Sequence, residues 1–298
     1  MEKHFDVIVP VALNEALFVG KVLPYIRKNL VGAERVFILT NKRNFRFVSC
    51  LSKIDPQCEI IDENELVNGL NFQAVQDVLN QKYQGKLKNR TGWYFQQFLK
   101  MGFALSEYAT DYYLSWDADT VPLSQIIFFH GDNILYNPKR EYNPAYFDTL
   151  KRLLGIEKLC KNSFISEHMM FSTEVMKEVI GRIMLSDVEG NTWFEKIINA
   201  TDFNQSGRFE MFSEFETYGN YCENFYKNLY QPRYLNSFRE AGFINGRFLN
   251  ENRLRSMSFD LDTASFELHH SPPFPQKILF KVYLLYLRMI RFYASLIS

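Results

Sequence analysis

The sequence predicts an α/β protein built on a mostly parallel, doubly wound sheet. Up to Val121, short apolar segments rich in β-branched residues alternate with longer segments of helical periodicity. This alternation is typical of strands joined by crossover helices, which makes neighbouring strands parallel. The chain has 298 residues, of which 47% are hydrophobic, so a single large domain can bury a sufficient core.

The individual elements follow from the same patterns. The unbroken apolar run at residues 5–11 is typical of a strand buried on both faces of a parallel sheet. The other strands predicted in this half are residues 35–40, 58–62 and 111–116, and the helices are residues 15–28, 72–83 and 93–108. Beyond Val121 we predict strands at 126–136 and 164–171, helices at 146–154, 173–184 and 213–229, and mixed strand and loop over 242–266.

Charge and cysteine content argue against two classes of protein. The chain carries 34 basic and 34 acidic side chains, whereas nucleic-acid binders usually show a basic excess, so we expect no nucleic-acid partner. The four cysteines have neither CxxC pairing nor zinc-site spacing, which indicates reduced thiols. The N-terminus runs into the first strand without the apolar core of a signal peptide. These features predict a cytoplasmic protein.

The most informative motif lies where the fourth predicted strand ends. Asp117 and Asp119 follow that apolar strand directly, with one residue between them. In open α/β sheets ligands bind at the carboxyl ends of strands, and alternate residues of an extended segment point the same way. Two converging carboxylates can hold Mg²⁺ or Mn²⁺, which would neutralise a diphosphate leaving group. The alternative is an ordinary turn or helix cap, where aspartate pairs also occur.

Four segments of the chain resemble one family. They are FDVIVPVALNE at residues 5–15, GWYFQQFLK at 92–100, WDADT at 116–120 and SEFETYGNY at 213–221. Together they resemble the GT-A glycosyltransferases, particularly a bacterial group linked to surface-polysaccharide assembly. The resemblance implies a Rossmann-like GT-A sheet and a nucleotide-diphospho-sugar donor, by analogy a UDP-sugar. The implied acceptor is a saccharide or a lipid-linked saccharide.

The resemblance also divides the single domain by role. Residues 1–121 would form the nucleotide-sugar-binding half, 122–276 the acceptor-binding and catalytic half, and 277–298 a basic, aromatic C-terminal helix. That last segment mixes apolar and aromatic residues with Lys277, Lys281, Arg288 and Arg291. Its composition suits a helix in the interface of an anionic membrane, here the inner face of the cytoplasmic membrane. A final helix packed on the domain fits equally well.

Donor-binding residues are expected after the first two strands and beside the aspartates, where GT-A enzymes hold the base, ribose and diphosphate. The residues assigned in this way are Pro10, Val11, Asn14, Glu15, Thr40, Asn41, Trp116 and Ala118. Two of these assignments have simple alternatives. Asn14 equally fits a cap of the following helix, and residues 40–43 equally fit a solvated polar turn.

A further donor contact is predicted at the helix that begins near residue 93. Trp93, Gln97 and Lys100 share one helix face, because they are spaced by four and three residues. An aromatic ring, an amide and an ammonium group suit base stacking, a hydrogen bond and a phosphate contact. The helix N-terminus next to Arg90 attracts anions as well. The alternative is a core Trp93 and a solvated Lys100.

GT-A enzymes often take a third metal ligand from a late histidine, so the resemblance points to His270, preferred over its neighbour His269. Imidazole suits Mn²⁺ better than Mg²⁺. An ordinary core or surface histidine pair is the alternative.

Catalytic and acceptor-binding residues are expected in the second half. An inverting transfer needs a carboxylate to take the proton of the acceptor hydroxyl. Glu214 opens a predicted helix, as that base does in many inverting GT-A enzymes, and Glu216 is second because it stands at capping-box distance from Ser213. In a retaining enzyme Glu214 would instead bind the acceptor. Glu167 and His168 interrupt an apolar segment, and they either line the acceptor pocket or form an internal pair.

Two other functions fit the same residues. A phosphatase or phosphotransferase of the haloacid-dehalogenase type would use Asp117 as its nucleophile. Its motif normally follows the first core strand, however, and here three predicted strands come earlier. A non-catalytic protein that binds sugars or a membrane surface would tolerate the loss of Asp117.

Overall fold

The computed structural model describes residues 3–203 and 209–296. Its strands are β1 (Phe5–Pro10), β2 (Ala33–Thr40), β3 (Cys58–Asp62), β4 (Tyr112–Trp116), β5 (Thr120–Pro122), β6 (Phe129–His130), β7 (Asn133–Tyr136), β8 (His168–Ser172), β9 (Tyr230–Pro232), β10 (Ser237–Phe238) and β11 (Thr263–Ser265). Its helices are α1 (Ala16–Asn29), α2 (Phe45–Ile54), α3 (Phe72–Tyr83), α4 (Thr91–Gly102), α5 (Pro144–Leu154), α6 (Thr173–Met184), α7 (Trp193–Ala200), α8 (Glu214–Phe225), α9 (Ala241–Asn245), α10 (Glu251–Met257) and α11 (Gln276–Leu296).

The chain divides into two compact units, and the first combines Met1–Ile61, Trp116–Phe128 and Tyr234–Ser298. Strands β3, β2 and β1 are neighbours in that order, and β1 runs parallel to β2. Their apolar side chains are buried, as a parallel strand covered on both faces requires. A smaller sheet has the order β10-β11-β5, with β11 antiparallel to β5. This pairing joins the C-terminal segment to the residues that follow the two aspartates.

The second unit contains Asp62–Ser115 and Phe129–Arg233. Strands β4 and β8 are neighbours, and a separate sheet has the order β6-β7-β9. Helix α8 is largely buried, and it contacts α4, α5 and α6. Gly219 of α8 lies directly against the ring of Phe164, since a Cβ added there would be 2.2 Å from the ring carbon Cγ. A close approach of this kind requires glycine.

The predicted fold class is confirmed. The protein is α/β, with a mostly parallel central sheet and flanking helices. The elements Cys58–Asp62, Phe72–Tyr83 and Thr173–Met184 match their predictions at both ends. The predicted division by role at residues 121 and 276 stays a prediction.

Two predicted strands are wrong in extent, and local hydrogen bonding explains both. The strand predicted over 126–136 is a hairpin of β6 and β7, because Gly131 adopts a φ of 60° and reverses the chain. The strand predicted over 164–171 begins only at His168. The hydroxyl of Ser163 accepts from the Ile165 amide and that of Ser166 donates to the His168 carbonyl, and such local bonds compete with strand pairing.

Two helical regions also differ from prediction. Helix α4 ends at Gly102, because the chain tightens into a 3₁₀ turn at Phe103–Leu105, closed by the Ser106 hydroxyl on the Phe103 carbonyl. The region 242–266, predicted as mixed strand and loop, contains α9 and α10 before β11. Gly246 ends α9 with a φ of 60°, and Asn250 caps α10 by accepting a hydrogen bond from the Arg253 amide.

The last helix, α11, packs on the first unit through one face. Phe280, Leu287 and Ile290 on that face are buried, whereas most other side chains of the helix are exposed. Of the segment predicted as a helix, 277–298, the last two residues lie outside the described residues. None of the helices in residues 3–203 and 209–296 has both the length and the apolarity that a membrane crossing needs.

Candidate functional site

The two aspartates lie in a tight turn of the first unit that leads into β5. The Thr120 amide donates to the Asp117 carbonyl at 3.1 Å, and the Trp116 indole donates to the Thr120 carbonyl at 2.7 Å. Trp116 and Ala118 are buried, whereas both aspartates are half-buried. The turn therefore presents two carboxylates at the end of a strand, on a backbone that the buried tryptophan fixes.

The C-terminal segment reaches this turn through β11. Ser265 pairs with Thr120 in the antiparallel ladder, and their hydroxyls lie 2.8 Å apart. The Phe266 amide donates to the Asp119 carbonyl at 2.9 Å. The acid and the two histidines that follow Phe266 in sequence are thereby held next to the turn that carries the aspartates.

Three carboxylates act on Asp119, and we call the four together the acid cluster: Asp117, Asp119, Glu15 and Glu267. The pKa of Asp119 is raised to about 8, first by burial and then by the negative charges of the other three members. Arg247, whose Nη2 lies 4.0 Å from an Asp119 carboxylate oxygen, opposes this shift. Like charges at short range disfavour the ionised form, so Asp119 holds its proton more tightly than an isolated aspartate does.

Arg247 joins three parts of this site. Its guanidinium donates to both carboxylate oxygens of Glu15, at 2.6 and 3.0 Å, and its Nε donates to the Phe266 carbonyl at 2.7 Å. The side chain is 1% exposed and lies over the ring of Phe18. Bidentate arginine–carboxylate pairing fixes the geometry of both partners. Sequence reasoning missed this residue, since its partner Glu15 lies 232 residues earlier.

Glu267, His269 and His270 form a potential ligand group. Among the residues described, these three have ligand atoms within 4.8 Å of one another, and the two aspartates are not members of that group. His269 contacts the Glu267 carboxylate at 3.2 Å. The motif Glu-x-His-His was visible in the sequence, but the prediction used only its histidines.

His270 is suited to metal binding. It is buried, and its Nδ1 has no hydrogen-bond partner within the described part of the chain. Burial lowers the pKa of His270 from its ordinary value, and the charges of His269 and Arg247 lower it further. The neutral imidazole, which is the form that ligates metals, is therefore favoured.

The segments after β1 and β2, which are expected to face the donor, are hydrogen-bonded to each other. The Thr40 hydroxyl is buried and donates to the Val11 carbonyl at 2.6 Å, and Asn41 caps a 3₁₀ turn by accepting from the Arg43 amide. Pro10 ends β1 and is buried with Val11. Asn14 does not cap α1, because its Oδ1 accepts a hydrogen bond from Arg291 Nε at 2.7 Å. Donor binding by these residues stays a prediction.

In the second unit, the predicted donor face of α4 meets the predicted base. Lys100 Nζ lies 3.1 Å from a Glu214 carboxylate oxygen, and Gln97 Oε1 accepts from the Glu214 amide at 3.2 Å. The lysine is buried, so the alternative that it is solvated is wrong.

Trp93 is partly exposed and packs edge-on against its neighbour, while Arg90 pairs with Glu210 at 2.9 Å. The functional roles of these residues stay predictions.

The Glu216 side chain accepts hydrogen bonds from three different residues. Its carboxylate accepts from the Ser163 hydroxyl, the Phe164 amide and the Asn220 side chain, at 2.5, 3.2 and 2.8 Å. Its backbone amide donates to the hydroxyl of Ser213, which caps α8 at the predicted capping-box spacing. With 1% exposure, this side chain links α8 to the segment before β8.

Glu167 and His168 lie in a buried, charged group. Lys139 Nζ is 3.4 Å from a Glu167 carboxylate oxygen, and the Arg233 guanidinium is 3.1 Å from His168 Nε2. Burial lowers the pKa of His168 well below its ordinary value, and the charges of Arg233 and Lys139 act in the same direction. Each of the two residues thus has a cationic neighbour, and both their acceptor role and their pairing with each other stay predictions.

A family model described as "Family of unknown function (DUF6492)" matches residues 24–238. No curated protein matches the chain. Among solved structures, mouse xyloside xylosyltransferase 1 is similar at 10% identity and a TM-score of 0.42, over 92% of this chain and 100% of that one. An active-site mutant of LgtC is similar at 11% identity and a TM-score of 0.45, over 94% and 95%. The bifunctional glycosyltransferase WbbM has 12% identity and a TM-score of 0.43, over 89% of this chain and 46% of that one.

Proposed function

This chain belongs to the DUF6492 family, and from the chemistry of the acid cluster we propose that it is a metal-dependent glycosyltransferase with a GT-A fold. One observation carries the proposal. Four carboxylates gather at the carboxyl end of a strand, where β11 also brings in two histidines. A group of partly buried like charges is unfavourable without a cation, and sites of this kind are typically functional.

The residues present fit Mn²⁺ or Mg²⁺. Asp117 and Asp119 would supply oxygen ligands and His270 a nitrogen ligand, a donor set that favours Mn²⁺. Two observations support this fit: the pKa of Asp119 is raised to about 8 by its acidic neighbours, and His270 Nδ1 lacks a hydrogen-bond partner within the described residues. When bound, the cation would neutralise a diphosphate and stabilise it as a leaving group.

The chain's own residues would position the reactants. Arg247 fixes Glu15 after β1 and the Phe266 carbonyl before the histidine segment, so both flanks of the acid cluster are held in place. The proposed donor is a nucleotide-diphospho-sugar, with UDP favoured by the sequence resemblance. The proposed acceptor is a saccharide or a lipid-linked saccharide, and the proposed role is bacterial surface-polysaccharide synthesis.

The proposed base depends on the stereochemistry. For an inverting reaction we retain Glu214 as the base and Glu216 as the second choice. Glu214 is 4% exposed and paired with Lys100, so its use would require the ion pair to open. For a retaining reaction no such base is needed, and Glu214 would instead bind the acceptor.

Calorimetric titration of UDP into the full chain, with and without MnCl₂, tests the proposal. We expect UDP to bind with Mn²⁺ present, and Asp119→Asn to weaken this binding about 100-fold, since loss of groups in a metal site costs 10–100-fold or more in affinity. Asp187→Asn is the matched control, because Asp187 is an exposed carboxylate of the second unit. Equal UDP binding with and without metal would contradict the proposal.

A second assay separates the alternatives. The proposed enzyme releases UDP from UDP-sugars in a metal-dependent way when acceptor or water is present. A phosphatase with Asp117 as nucleophile would instead hydrolyse p-nitrophenyl phosphate, and a passive sugar- or membrane-binding protein would do neither.

A further inference from the structure

The outer face of α11 is apolar along its whole length. Eight large apolar side chains are between 51 and 68% exposed: Ile278, Leu279, Val282, Leu285, Tyr286, Met289, Phe292 and Tyr293. The opposite face is the one that packs on the first unit. Surface apolar residues are common singly, but a contiguous set on one element marks an interaction surface.

The apolar surface continues beyond the helix. Phe248 is 40% exposed, and its ring lies 5.7 Å from that of Tyr283 in α11. Ile244 is 55% exposed, and Phe243 is 41% exposed with its ring 4.3 Å from the His270 imidazole. We define the docking surface as the outer face of α11 together with these three residues, Phe243, Ile244 and Phe248. It therefore extends from the last helix to the histidines of the candidate site.

The charges on the docking surface indicate what covers it. Lys277, Lys281, Arg288 and Arg291 are exposed along α11, and residues 268–298 contain no aspartate or glutamate. A second copy of the chain would bring the same cations against each other, whereas an anionic lipid surface complements them. Crossing the bilayer would place Lys281 and Arg288 in hydrocarbon, which is costly. Cations among large apolar residues are typical of helices that lie in the membrane interface.

We propose that the docking surface binds an anionic lipid bilayer, with α11 lying in the plane of the interface. The helix is attached to the rest of the unit by its inner face and by the hydrogen bond from Arg291 to Asn14, one residue before Glu15 of the acid cluster. Bilayer contact would therefore hold the candidate site close to the membrane surface. This inference goes beyond the proposed function, because it requires neither metal nor donor.

Co-sedimentation of the full chain with vesicles tests the inference, in buffer without metal or nucleotide. We expect binding to vesicles of phosphatidylcholine with phosphatidylserine, little binding to phosphatidylcholine alone, and release at high salt. The pair Lys281→Gln and Arg288→Gln should weaken partitioning about 30-fold, because each cation near an anionic surface contributes about 1 kcal/mol. Ile244→Gln should weaken it about fivefold if the surface extends past the helix.

Matched controls lie in the second unit. Lys161→Gln with Lys227→Gln removes two exposed cations, and Leu185→Gln removes an apolar side chain that is 86% exposed. Neither control should change partitioning. Equal binding to both kinds of vesicle, or equal loss in the controls, would overturn the proposal. So would a dimer that Leu285→Gln with Met289→Gln converts to monomer while vesicle binding is unchanged, since a second copy would then cover the helix.

Discussion

Glu216 in the second unit and Asp119 in the first are both carboxylates among other polar and charged groups, but their surroundings differ. Glu216 accepts hydrogen bonds from three donors and has Lys158 within 3.5 Å. Asp119 instead has three carboxylates as neighbours, and the one arginine that opposes their charge is already bound to Glu15 through both of its terminal nitrogens. The negative charge of Glu216 is therefore balanced by its donors, whereas Asp119 accepts one long hydrogen bond, from the Thr120 hydroxyl at 3.4 Å, and has like charges around it.

We propose that this difference separates a carboxylate that holds the fold together from one that binds a ligand. A buried carboxylate with all its lone pairs filled holds chain segments together and has little capacity left for a ligand. Carboxylates that repel each other oppose folding and are compensated when a cation binds. We therefore propose that the metal binds in the first unit, at the motif that the sequence singles out most clearly.

Removing the Glu216 carboxylate should have the largest effect on the free energy of unfolding. Glu216→Ala leaves the Ser163 hydroxyl and the Phe164 amide without their acceptor, and it removes the carboxylate that lies 3.5 Å from the Lys158 ammonium. We expect a loss of about 4 kcal/mol in the free energy of unfolding, as is usual when one partner of a buried charged network is removed. Urea unfolding measures it, with the exposed Glu189→Ala as the control, which should change stability by less than about 0.5 kcal/mol. Equal stability of both variants would show that the hydrogen bonds of Glu216 do not stabilise the fold.

Replacing Gly219, which lies in the same segment SEFETYGNY as Glu216, should have the next largest effect on the free energy of unfolding. Gly219→Ala would place a Cβ 2.2 Å from a Phe164 ring carbon, so we expect destabilisation of about 3 kcal/mol from overpacking. Gly181 in α6 is a matched control, since a Cβ there meets no atom within 4 Å among the described residues. Gly181→Ala should stabilise the protein by about 0.5–1 kcal/mol through helix propensity. If Gly219 is required for close packing against Phe164, the midpoint of thermal unfolding should fall for Gly219→Ala and rise for Gly181→Ala.

Removing the Asp119 carboxylate should change the free energy of unfolding the least of the three, and it should stabilise the protein rather than destabilise it. The raised pKa of Asp119 means that the folded state holds its proton more tightly than the unfolded chain does. Metal-free stability should therefore fall as pH rises from about 4 to about 8. Asp119→Asn removes this cost, so it should stabilise the metal-free protein by roughly 2 kcal/mol at pH 8 and by less at pH 4. Unfolding at both pH values measures it, and destabilisation at pH 8 would show that Asp119 is satisfied as Glu216 is.

The parts of the site that the sequence predicts are those with local signals. An apolar strand followed at once by Asp117 and Asp119 is visible in nine residues, and β-branched runs likewise reveal β1 and β3. The role of Glu214 is not visible locally, because a glutamate at a helix start fits capping, catalysis and ion pairing equally. Only the fold shows that Lys100, 114 positions earlier, packs against it.

Longer separations and small backbone changes account for the remaining errors. Arg247 has no recognisable motif, and its importance appears only when the fold brings it to Glu15, Asp119 and the Phe266 carbonyl. Gly131 divides one predicted strand into two through a single positive φ, which the apolar pattern around it does not reveal. Periodicity reports which face of an element is buried, and it says little about where the chain turns.

The pairing of Glu15 with Arg247 across 232 residues has a consequence for how the protein is made. A nascent chain emerges from the ribosome N-terminus first, and domains fold as their segments become available. Glu15, Asp117 and Asp119 are therefore made before Arg247 and the two histidines that join them. A translation product truncated before residue 247 would carry the aspartates without the partners that arrange them.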